Sequence, residues 1–216
     1  MENIVAVFGG SFNPPINSHF QLAQSILDNY REIEKVIFIP VSSMYNKKGL
    51  IDNKHRYEML KLGCQGQPNF EISDIELRSE KQLYTIETLD AIQKLYPDKF
   101  IYFIIGTDNL KEIETWYTSQ ELVDKYHFLV LQRNDDDFYE IIAKSKFLSE
   151  NNESFIYLDK VEQIHLSSSM IREKIKNKED ITEFVPENVE KYIKKNKLYE
   201  GLAYGKWYYR LDKRIC

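Results

Sequence analysis

The chain has 216 residues and a net charge of −5, which is enough length for one large α/β domain or two small ones. Its acidic balance argues against bulk nucleic-acid binding, which normally requires a basic excess. No window approaches the roughly 18 consecutive apolar residues of a membrane span. With two widely separated cysteines and no export signal in the first residues, the sequence predicts a cytoplasmic protein with reduced thiols.

Apolar runs and amphipathic segments alternate along the chain. The apolar runs predict strands over residues 4–8, 36–39, 70–75, 100–105, 128–131 and 155–158. Apolar residues at helical spacing predict helices over residues 19–29, 52–62, 85–95, 121–125, 138–147, 167–175 and 186–194. This alternation predicts an α/β fold with a Rossmann-like, doubly wound, mostly parallel sheet and helices on both faces. We expect one domain over residues 1–200, followed by an aromatic, basic tail of unassigned role over residues 201–216.

The segment VAVFGGSFNPPINSH, residues 5–19, has the order of an anion-binding turn. An apolar strand ends at Gly9 and Gly10, which would let the backbone turn sharply and approach a ligand closely. The loop amides and the first turn of the following helix would point free N–H groups at that ligand. His19 adds a donor that can carry charge near neutral pH. A phosphate is the expected occupant.

A second anion site is predicted by LSSSMIRE, residues 166–173. Serine hydroxyls and free amides at a helix N-terminus bind anions, and Arg172, one turn into the helix, can contact two phosphate oxygens at once. The alternative is a serine N-cap followed by a surface arginine. The strand at 100–105 delivers Gly106 and Asp108 to the same edge of the sheet, where doubly wound folds bind ligands. The acidic run at 135–137 is interpreted as favouring a helix N-terminus rather than a metal site.

Five motifs resemble, in the same order, those of the nicotinate/nicotinamide mononucleotide adenylyltransferases. They are GGSFNPPINSH, KKGLIDNKHR, LYTIETL, GTDNLKEIETW and SSSMIR, and the resemblance covers approximately residues 3–200. It implies the nucleotidyltransferase type of the α/β fold. The family carries a histidine, or in some branches a threonine, where this chain has Ile16. Some motifs resemble the nicotinate-preferring bacterial branch and others the eukaryotic branch of dual specificity, so the preferred pyridine stays open.

The resemblance implies that a mononucleotide 5′-phosphate attacks the α-phosphorus of ATP, giving a dinucleotide and pyrophosphate. The nucleophile is already an anion, so catalysis would consist of alignment and charge neutralisation. The implied catalytic residues are His19 and Arg172. The implied ATP-binding residues are Gly9, Gly10, Ser11, Phe12, Gly106, Asp108, Ser167 and Ser168. The implied mononucleotide-binding residues are Asn13, Lys48, Tyr84, Thr85, Trp116 and Arg133.

Several of these residues have ordinary structural alternatives. Asp108 can contact a ribose or cap a helix, Trp116 can stack on the pyridine or belong to the core, and Arg133 can bind phosphate or lie free on the surface. Arg56 has similar alternatives. The expected cofactor is Mg²⁺, bound mainly through the ATP phosphates, with no metal-binding residues in the protein. The expected partners are ATP and a pyridine mononucleotide, without nucleic acid or membrane, and a homo-oligomer is left open.

Two other functions compete with this hypothesis. The first keeps the chemistry and changes the acceptor, as in pantetheine-phosphate adenylyl or cytidylyl transfer. The second is a nucleotide-binding module that has lost turnover, because Ile16 cannot donate a hydrogen bond. Ile16→His is expected to increase the rate strongly if the site is otherwise intact, whereas tight ATP binding without product, unchanged by that substitution, would support the second hypothesis.

Overall fold

Six strands among the described residues form one parallel sheet. They are β1 (Ile4–Gly10), β2 (Ile33–Pro40), β3 (Phe70–Ile72), β4 (Phe100–Gly106), β5 (His127–Leu131) and β6 (Phe155–Tyr157). Their order is β3-β2-β1-β4-β5-β6, and all neighbours run parallel. The structure, a computed structural model, describes residues 3–44, 49–161 and 166–201. The predicted Rossmann-like, doubly wound α/β fold is confirmed.

Helices lie between the strands, and the last two described helices follow β6. They are α1 (Asn17–Asn29), α2 (Asn53–Cys64), α3 (Ile75–Arg78), α4 (Thr85–Leu95), α5 (Thr107–Leu110), α6 (Ser119–Lys125), α7 (Phe138–Lys144), α8 (Lys146–Glu150), α9 (Ser168–Lys176) and α10 (Glu187–Asn196). Short 3₁₀ turns lie at Ile113–Thr115 and Asn152–Ser154. Among the described residues, no helix has the length and apolar character needed to cross a membrane. The tail prediction for residues 202–216 lies outside the described residues.

Several predicted elements differ from the structure in their extent, and two of these differences introduce an additional helix. The strand expected over 70–75 ends at Ile72, and α3 follows it, stabilised at its start by an ion pair between Arg78 Nε and Asp74 Oδ2 at 2.6 Å. The helix expected over 138–147 is divided at Ser145, which has an extended backbone. The Ser145 hydroxyl accepts a hydrogen bond from the Leu148 amide at 3.2 Å and so begins a new helix.

The strands direct alternate side chains into two hydrophobic cores. On β1, Val5 and Val7 join the core on one face of the sheet, and Ile4, Ala6 and Phe8 join the core on the other. Successive side chains of a strand point to opposite faces. The β1 run is apolar throughout because both of its faces are buried.

A third core joins the C-terminal helices to the start of α1. Its buried members come from distant parts of the chain: Ile16, Ile51, Met59, Ile171, Ile181, Val185, Val189, Ile193, Leu198 and Tyr199. This C-terminal core holds α9 and α10 at the edge of the sheet where β1 and β4 end. Because β1 and β4 are neighbours and lead to different sides, this edge is the switch point at which such sheets bind ligands.

Candidate functional site

The loop between β1 and α1, residues 11–16, is here called the first loop. The sequence suggested that Gly9 and Gly10 make the turn of this loop, and this prediction was wrong. Gly9 and Gly10 continue β1 and pair with β2, and the left-handed residue is Phe12, with φ of 45°. The buried Phe12 ring contacts Phe8 and Phe38 with centroid distances of 5.6 and 5.8 Å. Packing of this ring therefore fixes the turn.

A buried arginine holds the first loop against the rest of the protein. The Arg56 side chain is 0% exposed. Its guanidinium donates to the carbonyls of Ser11 at 2.9 Å, Val41 at 2.6 Å and Ile51 at 3.2 Å. Because the peptide unit is planar and trans, a Ser11 carbonyl turned toward Arg56 directs the Phe12 amide the opposite way. Arg56 is thus a structural residue. Its position in the sequence does not indicate these three contacts.

The side chain of Asn13 faces inward and is committed to the protein. It is 3% exposed. Its amide nitrogen donates to the Gly49 carbonyl at 2.8 Å, and its oxygen accepts from the Tyr199 hydroxyl at 2.9 Å. The predicted contact between Asn13 and the mononucleotide is not supported by this arrangement. These contacts use one N–H of the amide and its oxygen within the protein.

The second predicted anion site lies directly on the first loop. The Arg172 Nη1 atom donates to the Asn13 carbonyl at 2.8 Å, and Nη2 donates to the Ser169 hydroxyl at 3.0 Å. The Ser168 hydroxyl donates to the Pro14 carbonyl at 2.8 Å. Ser167 caps α9 by accepting from the Met170 amide at 3.3 Å, so the capping alternative also holds. Two motifs from opposite ends of the chain therefore form one surface.

His19 lies in the first turn of α1 as a neutral ring. Its Nδ1 accepts a hydrogen bond from the Ile16 amide at 3.0 Å, which leaves the proton on Nε2. The ring makes edge contacts with Phe8 and Phe12, with centroids 6.0 and 5.1 Å away. The pKa of His19 is lowered to about 3, first by burial of the ring and second by the positive charge of Arg133.

Ile16 has no exposure to solvent. It lies in the C-terminal core with Ile171 and Val189, among other apolar side chains. A histidine in this place would have to bury a polar ring in an apolar environment. The expectation that Ile16→His restores a missing catalytic group is therefore not supported by the surroundings of this position.

Gly106, Asp108 and Arg133 meet at the ends of β4 and β5. Arg133 Nε lies 3.4 Å from Asp108 Oδ1, and both side chains are more than half exposed. A Cβ atom on Gly106 would lie 2.2 Å from that Asp108 oxygen and 2.6 Å from Arg133 Nε, so glycine is required for this close approach. The sequence assigned Asp108 to ATP and Arg133 to the mononucleotide, whereas the structure pairs them.

Thr107 anchors this cluster and was missed by the sequence analysis. Its buried hydroxyl accepts from the Arg133 amide at 2.9 Å and donates to Asp136 Oδ2 at 3.0 Å. Asp136 also pairs with Lys111. Asp137 caps α7 through the Glu140 amide at 2.8 Å. The acidic run at 135–137 is thus structural in part, and no group of three His, Cys, Asp or Glu side chains in the described residues could hold a metal ion.

Aromatic side chains lie beside the N-terminus of α4. The Tyr84 and Tyr117 rings are stacked, with centroids 4.2 Å apart, and both are about half exposed. Trp116, next to Tyr117 in the chain, is partly buried against the core. Thr85 opens α4, and the Tyr84 amide donates to Glu87 Oε2 at 2.9 Å. Tyr117 was not singled out from the sequence. Lys48, the remaining predicted site residue, lies outside the described residues.

The fold and these motifs agree with comparisons to known proteins. A cytidylyltransferase-like family model matches residues 7–174, which defines the class of this protein. A protein of Lachnoclostridium phytofermentans named "Probable nicotinate-nucleotide adenylyltransferase" is 36% identical over 90% of this chain and 98% of its own length. The nicotinate-nucleotide adenylyltransferase of Bacillus subtilis is 32% identical over 91% of this chain and 98% of its own.

A solved structure shares the fold at lower sequence similarity. The nicotinic acid mononucleotide adenylyltransferase of Plasmodium falciparum, complexed with NaAD, superimposes with a TM-score of 0.74 at 20% identity, covering 92% of this chain and 98% of that one. The chain belongs to the nicotinate-nucleotide adenylyltransferases, a family of nucleotidyltransferase enzymes. The resemblance and the enzyme class expected from the sequence are confirmed.

Proposed function

We propose that this protein transfers AMP from ATP to nicotinate mononucleotide and releases pyrophosphate, as a step of NAD biosynthesis. The observation that carries the proposal is the contact between the two anion-binding motifs. Arg172 and Ser168 donate to the Asn13 and Pro14 carbonyls, both at 2.8 Å. A triphosphate held by the first loop would therefore also lie beside α9.

The chain supplies charge and alignment to this reaction rather than a general base. Arg172 and Arg133 bring positive charge to a place where two phosphate-bearing substrates must approach each other. His19 provides a neutral N–H donor on Nε2, since Nδ1 already accepts from the Ile16 amide. Bound phosphates would oppose the effect of Arg133 on the pKa of His19, while the Ile16 amide, which donates to Nδ1, favours the neutral ring.

Mg²⁺ is the divalent ion that we propose for this reaction. When bound, it neutralises phosphate charge. We propose that the ion is held through the phosphates of ATP, which supply the oxygen ligands that Mg²⁺ prefers. The Asp108 carboxylate beside Gly106 is already paired with Arg133. We assign no metal-binding residue on this chain.

The pyridine ring is proposed to bind beside Trp116 and the stacked Tyr84 and Tyr117 rings. Aromatic faces favour stacking of a flat heterocycle. Tyr84 and Thr85 lie at the start of the 11-residue helix α4, whose free amides favour a carboxylate over a neutral amide. This environment supports nicotinate as the preferred acceptor.

The two competing hypotheses have less support. A different acceptor is not favoured by the relatives, which are named for nicotinate nucleotide. A module without turnover was suggested by Ile16, but Ile16 fills a hydrophobic core and the remaining phosphate-binding groups are present.

An acceptor comparison tests the proposal. Purified protein is given ATP and Mg²⁺ with nicotinate mononucleotide, nicotinamide mononucleotide or phosphopantetheine, and pyrophosphate release is measured. We expect turnover to be fastest with nicotinate mononucleotide. Trp116→Ala should raise the KM for that substrate about tenfold and leave the KM for ATP nearly unchanged. Turnover with phosphopantetheine alone would overturn the assignment of the acceptor.

A further inference from the structure

Tyr199 follows the last described helix and yet contacts the first loop. The α10 helix ends where Lys197 takes a left-handed conformation, with φ of 51°, and the Leu198 amide donates back to the Ile193 carbonyl at 3.1 Å. Tyr199 is itself left-handed, with φ of 68°, and only 6% exposed. This ending turns its side chain into the C-terminal core.

The Tyr199 hydroxyl completes the hydrogen bonding of the Asn13 amide. The Gly49 carbonyl can only accept and the Ile51 amide can only donate, so these two groups set which way the Asn13 amide faces. The contact from Ile51 is long, at 3.5 Å, whereas the Tyr199 hydroxyl donates to the same oxygen at 2.9 Å. Tyr199 is therefore the stronger donor to the Asn13 side chain.

The main chain of Asn13 is hydrogen-bonded to Arg172. The Asn13 carbonyl oxygen accepts from Arg172 Nη1 at 2.8 Å. One residue of the first loop is thus held by Tyr199 through its side chain and by Arg172 through its backbone. A shift of Asn13 would displace the surface to which the arginine is attached.

We propose that Tyr199 is a positioning residue for the phosphate-binding surface, acting through Asn13 on the placement of Arg172. This inference rests on the proposed function of that surface. On this proposal, the segment that follows α10 affects the reaction although Tyr199 lies in the C-terminal core. A purely structural role would predict lost stability alone, without a selective effect on ATP.

Tyr199→Phe removes the hydroxyl and keeps the ring in the core. Tyr192→Phe is the matched control, since the Tyr192 hydroxyl lies 3.0 Å from His55 Nδ1, on α2, and makes no hydrogen bond to the described residues of the first loop. We expect Tyr199→Phe to lower kcat/KM for ATP about tenfold, and Tyr192→Phe to stay within twofold of wild type. Unfolding temperatures of the two variants should differ little.

A double variant tests the route through Arg172. If Tyr199 acts through the placement of the arginine, the double variant Tyr199→Phe with Arg172→Lys should have a kcat/KM for ATP only slightly below that of the less active single variant. The proposal would be overturned if the loss of kcat/KM in the double variant equalled the product of the two single losses. It would also be overturned if Tyr199→Phe matched Tyr192→Phe in kcat/KM.

Calorimetric titration with ATP separates this proposal from the proposed function. If the wild type turned over no pyridine mononucleotide, the proposed function would fail, and the dissociation constant for ATP would still test Tyr199. We expect binding about tenfold weaker in Tyr199→Phe and unchanged in Tyr192→Phe. Equal affinities in these two variants would overturn the role of Tyr199.

Discussion

Arg172 lies 159 positions from Asn13 in sequence, and its guanidinium donates to the Asn13 carbonyl at 2.8 Å. A second nitrogen of the same group donates to the Ser169 hydroxyl at 3.0 Å. The two contacts use the planar fork of the guanidinium, which a lysine cannot reproduce. They aim a positive charge at the surface where the first loop and α9 meet.

Substitution of Arg172 should lower kcat/KM for ATP, and the loss should be larger when both the charge and the planar fork are removed. Arg172→Ala is expected to lower kcat/KM for ATP about 100-fold, equivalent to about 3 kcal/mol of transition-state stabilisation. Arg172→Lys keeps the charge and should lose about tenfold. Steady-state kinetics provides the measurement. The control is Arg31→Ala, an exposed residue preceding β2 at the opposite edge of the sheet. Near wild-type kinetics in Arg172→Ala would contradict this account.

The acid sensitivity of folding should depend on His19. Its folded-state pKa is about 3, below the roughly 6.5 of an unfolded histidine. Between these values the unfolded chain binds a proton that the folded chain does not, so stability falls as the pH falls from 6.5 toward 3. One such proton contributes about 1.4 kcal/mol per pH unit.

Denaturant unfolding at a series of pH values measures this contribution. His19→Gln should lose less stability than wild type on acidification, and His127→Gln, at the start of β5, should follow the wild-type slope. Parallel curves for wild type and His19→Gln would show that the His19 ring is not held neutral.

Ile16→His should destabilise the protein rather than activate it. The position is 0% exposed and surrounded by the C-terminal core. Burial of an imidazole without a hydrogen-bond partner typically costs about 1–3 kcal/mol. Chemical denaturation gives the value, with Ile16→Val as the control at about 1 kcal/mol. A faster enzyme of unchanged stability would reverse this interpretation and favour the hypothesis of a weakened catalytic site.

Gly106→Ala should separate activity from stability. The new Cβ would crowd the Asp108 and Arg133 side chains, which are exposed and can move aside, so the fold should persist while the ion pair is displaced. We expect the KM for ATP to rise about tenfold with little change in unfolding temperature. Gly66→Ala should instead lower the unfolding temperature and leave the KM for ATP unchanged, because that glycine has φ of 84° in a turn before β3. An unchanged KM in Gly106→Ala would remove this cluster from the ATP site.

The sheet could be predicted because its strands are continuous apolar runs buried on both faces, as in β1 and β4. The two segments proposed to bind anions could be located because one follows an apolar strand and the other places serines at a helix N-terminus. The role of Arg56 could not, since three carbonyls from separate loops converge on it. Local sequence contains no record of such contacts. The same applies to Tyr199 and Asn13.

Some errors came from single residues whose conformation depends on distant packing. Phe12 takes the left-handed conformation that was predicted for a glycine, because its ring is fixed by Phe8 and Phe38. Arg133 pairs with Asp108, a contact that the sequence did not indicate, and the substrate of each residue stays a prediction. The cytoplasmic location, the absence of nucleic-acid partners, the oligomeric state and the individual roles of the site residues stay predictions.

Transfer of a labelled phosphorus tests the central claim most directly. ATP labelled at the α-phosphorus is incubated with the protein, Mg²⁺ and nicotinate mononucleotide, and the products are separated. We predict that the label enters a dinucleotide in amounts equal to the pyrophosphate released, and that Arg172→Ala reduces both together. Label recovered only as ATP, or as AMP formed without a dinucleotide, would contradict the proposed adenylyl transfer.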